Sequence, residues 1–306
     1  MKFFLPVLLK ARIYFILVVL VTPVFLPVLA RAEISVIDDA GRTVVIKNPA
    51  ERIVALSPHI VENLFSAGAG NKIVAAVEYS DFPEAAKKIQ RVGRFDTVSI
   101  ENILALNPDL IIVWGSGGGS KIINTLESLG LTVYVDEPSS LQSIADSIQR
   151  FSMLAGTEEV GRPVSKYFLK ELERLRLDRE SKHRLKVFYQ LWNNPIQTIN
   201  SEHIISDAIT LCGGENIFSD LKSIAPKVNI EAVLQKTPDV IIASGVDSGR
   251  PDWLDDWTNW SSIPAVKGKN LYHIPPDFIQ RHTLRILKGV ELMCRYIENS
   301  KSAERH

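Results

Sequence analysis

Five loops hold the side chains of this chain that could grip a small molecule, and four of them follow an apolar run that reads as a strand, the loop with Phe95 being read as equivalent to that with Trp114. They are Tyr79-Ser80-Asp81-Phe82-Pro83, Phe95 in VGRFDTVS, Trp114 in VWGSGGGSK, Trp192-Asn193-Asn194-Pro195, and Pro275 through Arg281. The C-terminal ends of strands are where open α/β sheets place ligands. Aromatic faces there cover apolar ligand surface, and a few polar neighbours orient it. The pieces of an enzyme are harder to assemble. GSGGGSK follows a strand but lacks the Gly-Lys-Ser/Thr ending and the spacing of a phosphate loop, so its glycines read as a flexible or close-packed rim beside an exposed Trp114. There is no HExxH and no GxSxG elbow. Ser57-Pro58-His59 has no identifiable partner in the sequence, and Ser57-Pro58 reads as a helix cap with Pro in the first turn. A hydrolase site assembled across the fold is the remote alternative. Two cysteines without a nearby histidine pattern do not make a zinc site, so no metal and no resident cofactor are expected.

The elements that must position these loops are set out by an internal repeat. Sliding the chain by 130 residues lays VSIENILALNPDLIIVWG (98–115) on VNIEAVLQKTPDVIIASG (228–245), with Glu101 on Glu231, Pro108-Asp109 on Pro238-Asp239 and Gly115 on Gly245. Each copy reads as a polar start with a Glu, a short amphipathic helix, a Pro-Asp break and a buried strand ending in Gly. Two copies so far apart argue for two similar α/β lobes rather than a solenoid. Between them, Leu141 to about Lys182 is helical in pattern and split at Gly156-Thr157, and Val164, Phe168, Leu172 and Leu175 lie at helical spacing. A helix of about twenty residues spans about 30 Å, enough to join one lobe to another. The expected organisation is a first lobe over 33–155, a linking helix over 156–183 and a second lobe over 184–306, with a ligand cleft between lobes.

The 306 residues suffice for two ordinary domains, and 35 basic residues balance 35 acidic ones. No overall field attracts nucleic acid or an anionic membrane. Lys2, Lys10 and Arg12 precede an apolar run from Ile13 to Leu29, and Ala30-Arg31-Ala32 has the small-x-small pattern of a signal-peptidase site. The expectation is a signal over 1–32, removed on export to a bacterial periplasm, with an uncleaved anchor as the alternative. In an exported protein Cys212 and Cys294 read as one disulfide closing a loop of about eighty residues. Two separate buried thiols are the alternative.

The order of hairpin, RIVALSP, YSDFP, ENILALNPDLII, long helix, CGGENIF, IEAVLQKTPDVII and DFIQRHTLR resembles the substrate-binding proteins of ABC importers for cobalamin, iron-siderophore complexes and haem. The likeness covers nearly the whole mature chain and is greatest to the cobalamin carriers. It implies two α/β lobes joined by one rigid helix, and a periplasmic protein, read as a monomer and not an enzyme, that delivers cobalamin to permease subunits in the inner membrane. By the same resemblance Tyr79 lies against the corrin ring. Asp277, Phe278, Ile279, Gln280 and Arg281 form the second-lobe contact. Phe95, Trp114 and Trp192 line the cleft, although the family has tryptophan at the Phe95 position, and Arg285 reaches the rim. Glu101 and Glu231 dock on permease arginines, where a carboxylate can fix register through bidentate contacts. The alternative cargo is a ferric siderophore or haem. An anionic siderophore calls for clustered arginines, of which Arg281 and Arg285 are the only close pair, and haem for an iron ligand such as Tyr79, His59 or His282.

Overall fold

A computed structural model describes residues 33–177, 184–245 and 248–303; the expected signal, residues 1–32, lies outside them. Among the described residues no helix is long and apolar enough to cross a membrane. The strands β1 (Ile34–Ile37) and β2 (Thr43–Ile46) pair antiparallel. Asp38 closes their turn by accepting from the amides of Ala40 and Arg42, and Gly41 supplies the positive φ of 75°.

There follow β3 (Ile53–Ala55), α1 (Pro58–Ser66), β4 (Ile73–Ala76), the short pair β5 (Gly93–Arg94) and β6 (Thr97–Val98), α2 (Ile100–Ala105), β7 (Leu110–Trp114), α3 (Gly115–Ser128) and β8 (Val133–Asp136). The main strands form a parallel sheet in the order β4-β3-β7-β8. Two helices come next, α4 (Leu141–Ala155) and α5 (Glu158–Leu177). The second half runs β9 (Leu185–Gln190), α6 (Ile204–Leu211), β10 (Gly214–Asn216), α7 (Ile230–Lys236), β11 (Val240–Ala243), α8 (Pro264–Lys267), β12 (Leu271–His273), α9 (Pro276–Ile279) and α10 (Ile286–Ala303). Its parallel sheet has the order β10-β9-β11-β12. Helices cover both sheets, so β7 and β11 are buried runs of Leu, Ile and Val rather than alternating patterns.

The repeat occupies equivalent places in the two sheets. In the first, Asp109 accepts hydrogen bonds from the amides of Glu51 and Arg52 at 2.8 and 3.0 Å, ahead of β3. In the second, Asp239 accepts from Lys186 at 2.8 Å, at the start of β9. The Pro-Asp break thus does two jobs: proline ends the helix, and aspartate satisfies the entry of the neighbouring strand.

Gly156 ends α4 in the left-handed region at φ 65°, and α5 turns back along α4 with Phe168, Leu172 and Leu175 buried. Helix α5 also packs on α10, so the linking helix is braced by both halves of the chain. Cys212 and Cys294 form a disulfide with Cα atoms 4.5 Å apart, fastening the end of α6 to the middle of α10.

One expectation is corrected. GSGGGSK is not a loop rim but the first two turns of α3. Glu137 accepts the amide of Ser116 at 2.5 Å and its hydroxyl at 3.0 Å, satisfying the helix start from outside. Gly117 serves the aromatic rather than a phosphate, because a Cβ there would stand 1.9 Å from the Trp114 ring.

Candidate functional site

Four of the candidate loops leave the C-terminal ends of the two parallel sheets, while Phe95 lies in the turn between β5 and β6, and side chains from both lobes meet where the loops face each other. Tyr79 follows β4 and is 66% exposed, with its backbone at φ 64°. For a bulky residue that conformation is uncommon, and it holds the ring out in solvent. Two residues on, Asp81 binds Nη1 of Arg281 at 2.7 Å. The Arg285 guanidinium lies over the Phe82 ring, 4.2 Å from its centroid, a cation–π contact. The Tyr79 loop and the Asp277–Arg281 segment therefore touch, although 200 residues separate Asp81 from Arg281.

Behind this contact lies Glu62 of α1, only 3% exposed. Its carboxylate accepts from Arg281 Nη1 at 2.9 Å and from Arg285 Nε and Nη2 at 2.9 and 2.6 Å. Asp277 adds contacts of 3.1 Å to Arg281 and 3.6 Å to Arg285. Burial works against the charge of Arg281, but Asp81 and Glu62 more than offset it and hold the guanidinium more firmly protonated than usual. Burial likewise opposes ionisation of Asp81, yet Arg281 prevails and its carboxyl lies below the ordinary range.

A row of rings extends from this cluster into the first lobe. Phe95 and Trp114 lie 6.0 Å apart, Trp114 stands edge-on to His59 at 5.5 Å, His59 is 5.9 Å from His282, and His282 is 6.1 Å from His203. Trp114 is pinned by its indole N–H donating to Glu137 at 3.2 Å. Asn63 donates to the carbonyl of His282 at 2.9 Å, a second junction between lobes. Burial, reinforced by His59 and His203, keeps His282 neutral well below the usual histidine range, and burial lowers His203 to about 4.

Ser57 departs from the expected cap. It occupies the N-cap position of α1, but its hydroxyl pairs with His59 Nδ1 at 2.7 Å instead of capping the helix. His59 also has the partner missing in the sequence: Nε2 lies 3.2 Å from Asp136, which accepts in turn from Ser147 at 2.6 Å. These are the residue types of a nucleophilic relay, yet Ser57 is 1% exposed and its hydroxyl is closed to a substrate carbonyl. As it stands, the trio ties the ends of β3 and β8 together.

Trp192 stands apart from the ring row. It is 39% exposed and lines a recess of about 390 Å³ with Gly245, Gly249, Arg250, Pro251, Asp252 and Trp253. Gln280 reaches this side by donating to the Gly245 carbonyl at 3.0 Å. Phe278 is half-buried beneath Lys288, whose ammonium is 5.5 Å from its ring. Ile279 departs from the expected contact set: its side chain is fully buried in the core, where the single turn of α9 directs it. Glu101 and Glu231 are both exposed, each the second residue of its short helix, capped by Ser99 and Asn229 respectively.

Sequence reasoning missed Glu62, Asp81 as an ion-pair partner, Arg250 and Trp253. Trp253 carried a signal, since it lies in a tryptophan-rich stretch that no core pattern demands. Glu62 carried none, because an acidic residue on an amphipathic helix reads as solvent-facing. Among the described residues no group of His, Cys, Asp and Glu is arranged to hold a metal ion.

Residues 53–278 match the family model described as periplasmic binding protein. The vitamin B12-binding protein of Vibrio cholerae is 38% identical over 253 residues, covering 82% of this chain and 90% of the relative. That of Yersinia pestis is 32% identical over 247 residues, covering 80% and 86%. Among solved structures, the periplasmic vitamin B12-binding protein of Vibrio cholerae superimposes with a TM-score of 0.76 at 37% identity, covering 83% of this chain and 98% of that one. A periplasmic haem-binding protein of the same organism reaches 0.69 at 21% identity, covering 80% and 97%, a likeness of fold alone.

Proposed function

The chain belongs to the periplasmic binding protein family, and from that premise we infer that it captures cobalamin in the periplasm and delivers it to the permease of an ABC importer. The curated relatives carry the class of cargo. The observation that supports cobalamin over the alternatives is charge compensation at the lobe junction. Arg281 and Arg285, the pair an anionic siderophore would need, are already held by Glu62, Asp81 and Asp277. A cleft whose cations are satisfied by its own carboxylates suits a large ligand edged by neutral amides, with aromatic faces on its apolar surfaces. For haem, His59 has both ring nitrogens in hydrogen bonds, and Tyr79 is the exposed one of the three candidate iron ligands.

In this reading Tyr79, Phe95, Trp114 and Trp192 supply the aromatic faces, while Asp277, Gln280, Arg281 and Arg285 orient the polar edge. Glu101 and Glu231, one exposed carboxylate per lobe on equivalent helices, dock on the permease. The first lobe, the linking helix and the second lobe are taken as 33–155, 156–183 and 184–306. The protein acts as a monomer by stoichiometric capture without turnover, and carries no cofactor of its own.

The test is titration of the mature protein with cyanocobalamin, a ferric hydroxamate siderophore and haemin, followed by tryptophan quenching and calorimetry. One-to-one binding of cyanocobalamin is expected, weakened roughly tenfold in Tyr79→Ala through loss of an aromatic contact. Binding of a ferric ligand with silence toward cyanocobalamin would reassign the cargo to iron.

A further inference from the structure

Glu62 lies at the centre of the charge cluster at the lobe junction, and the cobalamin reading gives this buried carboxylate no contact with the ligand. Three carboxylates, Glu62, Asp81 and Asp277, face two guanidiniums, Arg281 and Arg285, so the cluster holds one more negative than positive charge. The side chains of Asp81 and Asp277 are 52% and 44% exposed, whereas that of Glu62 is 3% exposed. Water and salt screen the two aspartates, and the Glu62 charge is screened least. Glu62 also takes three of the guanidinium N–H groups and so turns those donors toward the protein.

We propose that Glu62 is a specificity-determining residue of the cleft, compensating the charges of Arg281 and Arg285 so that they can orient neutral amides but not pair with an anion, and leaving a negative bias that admits a neutral amide-edged ligand and rejects its carboxylate analogue. The proposal rests on the cobalamin reading for its choice of ligand. Without the Glu62 charge the remaining carboxylates and guanidiniums balance, and the Arg285 guanidinium is freed to meet an anion.

The probes are cyanocobalamin and its monocarboxylic acid, in which one peripheral amide is hydrolysed so that size is kept and one negative charge is added. The quantity read is the ratio of their dissociation constants on the mature protein at low salt. Wild type should disfavour the acid. Glu62→Gln should shrink that ratio roughly fivefold, the worth of one unit charge across several ångströms at partial screening, and Glu62→Asp should keep it near the wild-type value. A role limited to bracing the lobes would weaken both ligands in parallel, so an unchanged ratio in Glu62→Gln overturns the proposal, as does equal binding of the two probes by wild type.

Should Glu62→Gln fail to fold, Arg285→Met supplies the reading. It leaves Glu62 paired with Arg281 and deepens the negative excess, so the ratio must rise, and a ratio at the wild-type value refutes the inference. If wild type binds neither cobalamin, the cargo reading fails by itself. The same variants are then titrated with a neutral ferric trihydroxamate and an anionic ferric tricatecholate. A shift toward the anion in Glu62→Gln sustains the role of Glu62, and no shift removes it.

Discussion

Replacing both cysteines tests how the second half of the chain is held together. Cys212 and Cys294 are separated by 82 residues. In the chain-entropy description, cross-linking a loop of that length restricts the unfolded chain by about 4.5 kcal/mol. Both sulfurs are buried, so truncation to alanine adds the cavity left behind, roughly 1 kcal/mol at each site. The expected loss in Cys212→Ala/Cys294→Ala is therefore about 6.5 kcal/mol. Unfolding entropy of about 2.1 cal/mol/K per residue over roughly 270 residues converts this to a fall in Tm of about 11 °C. Scanning calorimetry of the two mature proteins measures it directly. A fall of no more than about 4 °C is what the cavities alone would produce, and would refute the idea that the bond acts by constraining the unfolded chain. Ligand affinity at room temperature should stay within about twofold, because the segment proposed to contact the ligand is held to α10 by other means. Tyr296 donates to the His273 carbonyl at 3.2 Å, and Gly289 lets the Phe278 carbonyl pack directly on the helix, where a Cβ would come within 2.2 Å.

Two further outcomes concern delivery and pH. Glu101→Ala with Glu231→Ala should abolish transport in cells while leaving cyanocobalamin affinity unchanged; a loss of affinity would move these glutamates from docking to ligand binding or to the fold. Stability should fall on mild acidification. His203 is lowered to about 4 and His282 well below the usual value, chiefly by burial, while the unfolded chain takes up those protons near about 6.5. Above that pH the groups contribute nothing, and as pH falls toward 4 the unfolded state gains protons the fold refuses, so stability is lost. For His203 the loss amounts to at most about 2 kcal/mol between pH 6.5 and 5. His203→Asn keeps an acceptor for the Ile205 amide, which now bonds Nδ1 at 3.2 Å, and should flatten the dependence of the urea midpoint on pH; an equally steep profile would exclude His203 as a source.

Much of the architecture was legible because it is written in short-range pattern. The strands β7 and β11 appear as apolar runs between Pro-Asp and a residue that breaks them, and α5 as a charged helix with one apolar stripe. The misreadings share one feature, that packing or pairing of particular side chains, rather than the local pattern, decided the outcome. The glycines of α3 have poor helix propensity and would read as a loop anywhere, yet Glu137 satisfies the helix start at Ser116 and Trp114 packs on Gly117. Ile279 sits in a single helical turn with no periodicity to tell inward from outward, and packing on α10 chose inward. Ser57 had a cap's address and found a histidine partner instead.

By itself the sequence determined two α/β lobes, their order, the linking helix and the strand ends at which aromatic loops gather, since the pattern of apolar spacing and breakers is a local property of the chain. Only the tertiary structure decided which charges meet. Glu62 finds Arg281 and Arg285 across 219 and 223 residues, and His59 finds Asp136 across 77. Such pairs arise because a buried ion or polar group is tolerated only beside a compensating one. No local pattern records which distant residue supplies that compensation.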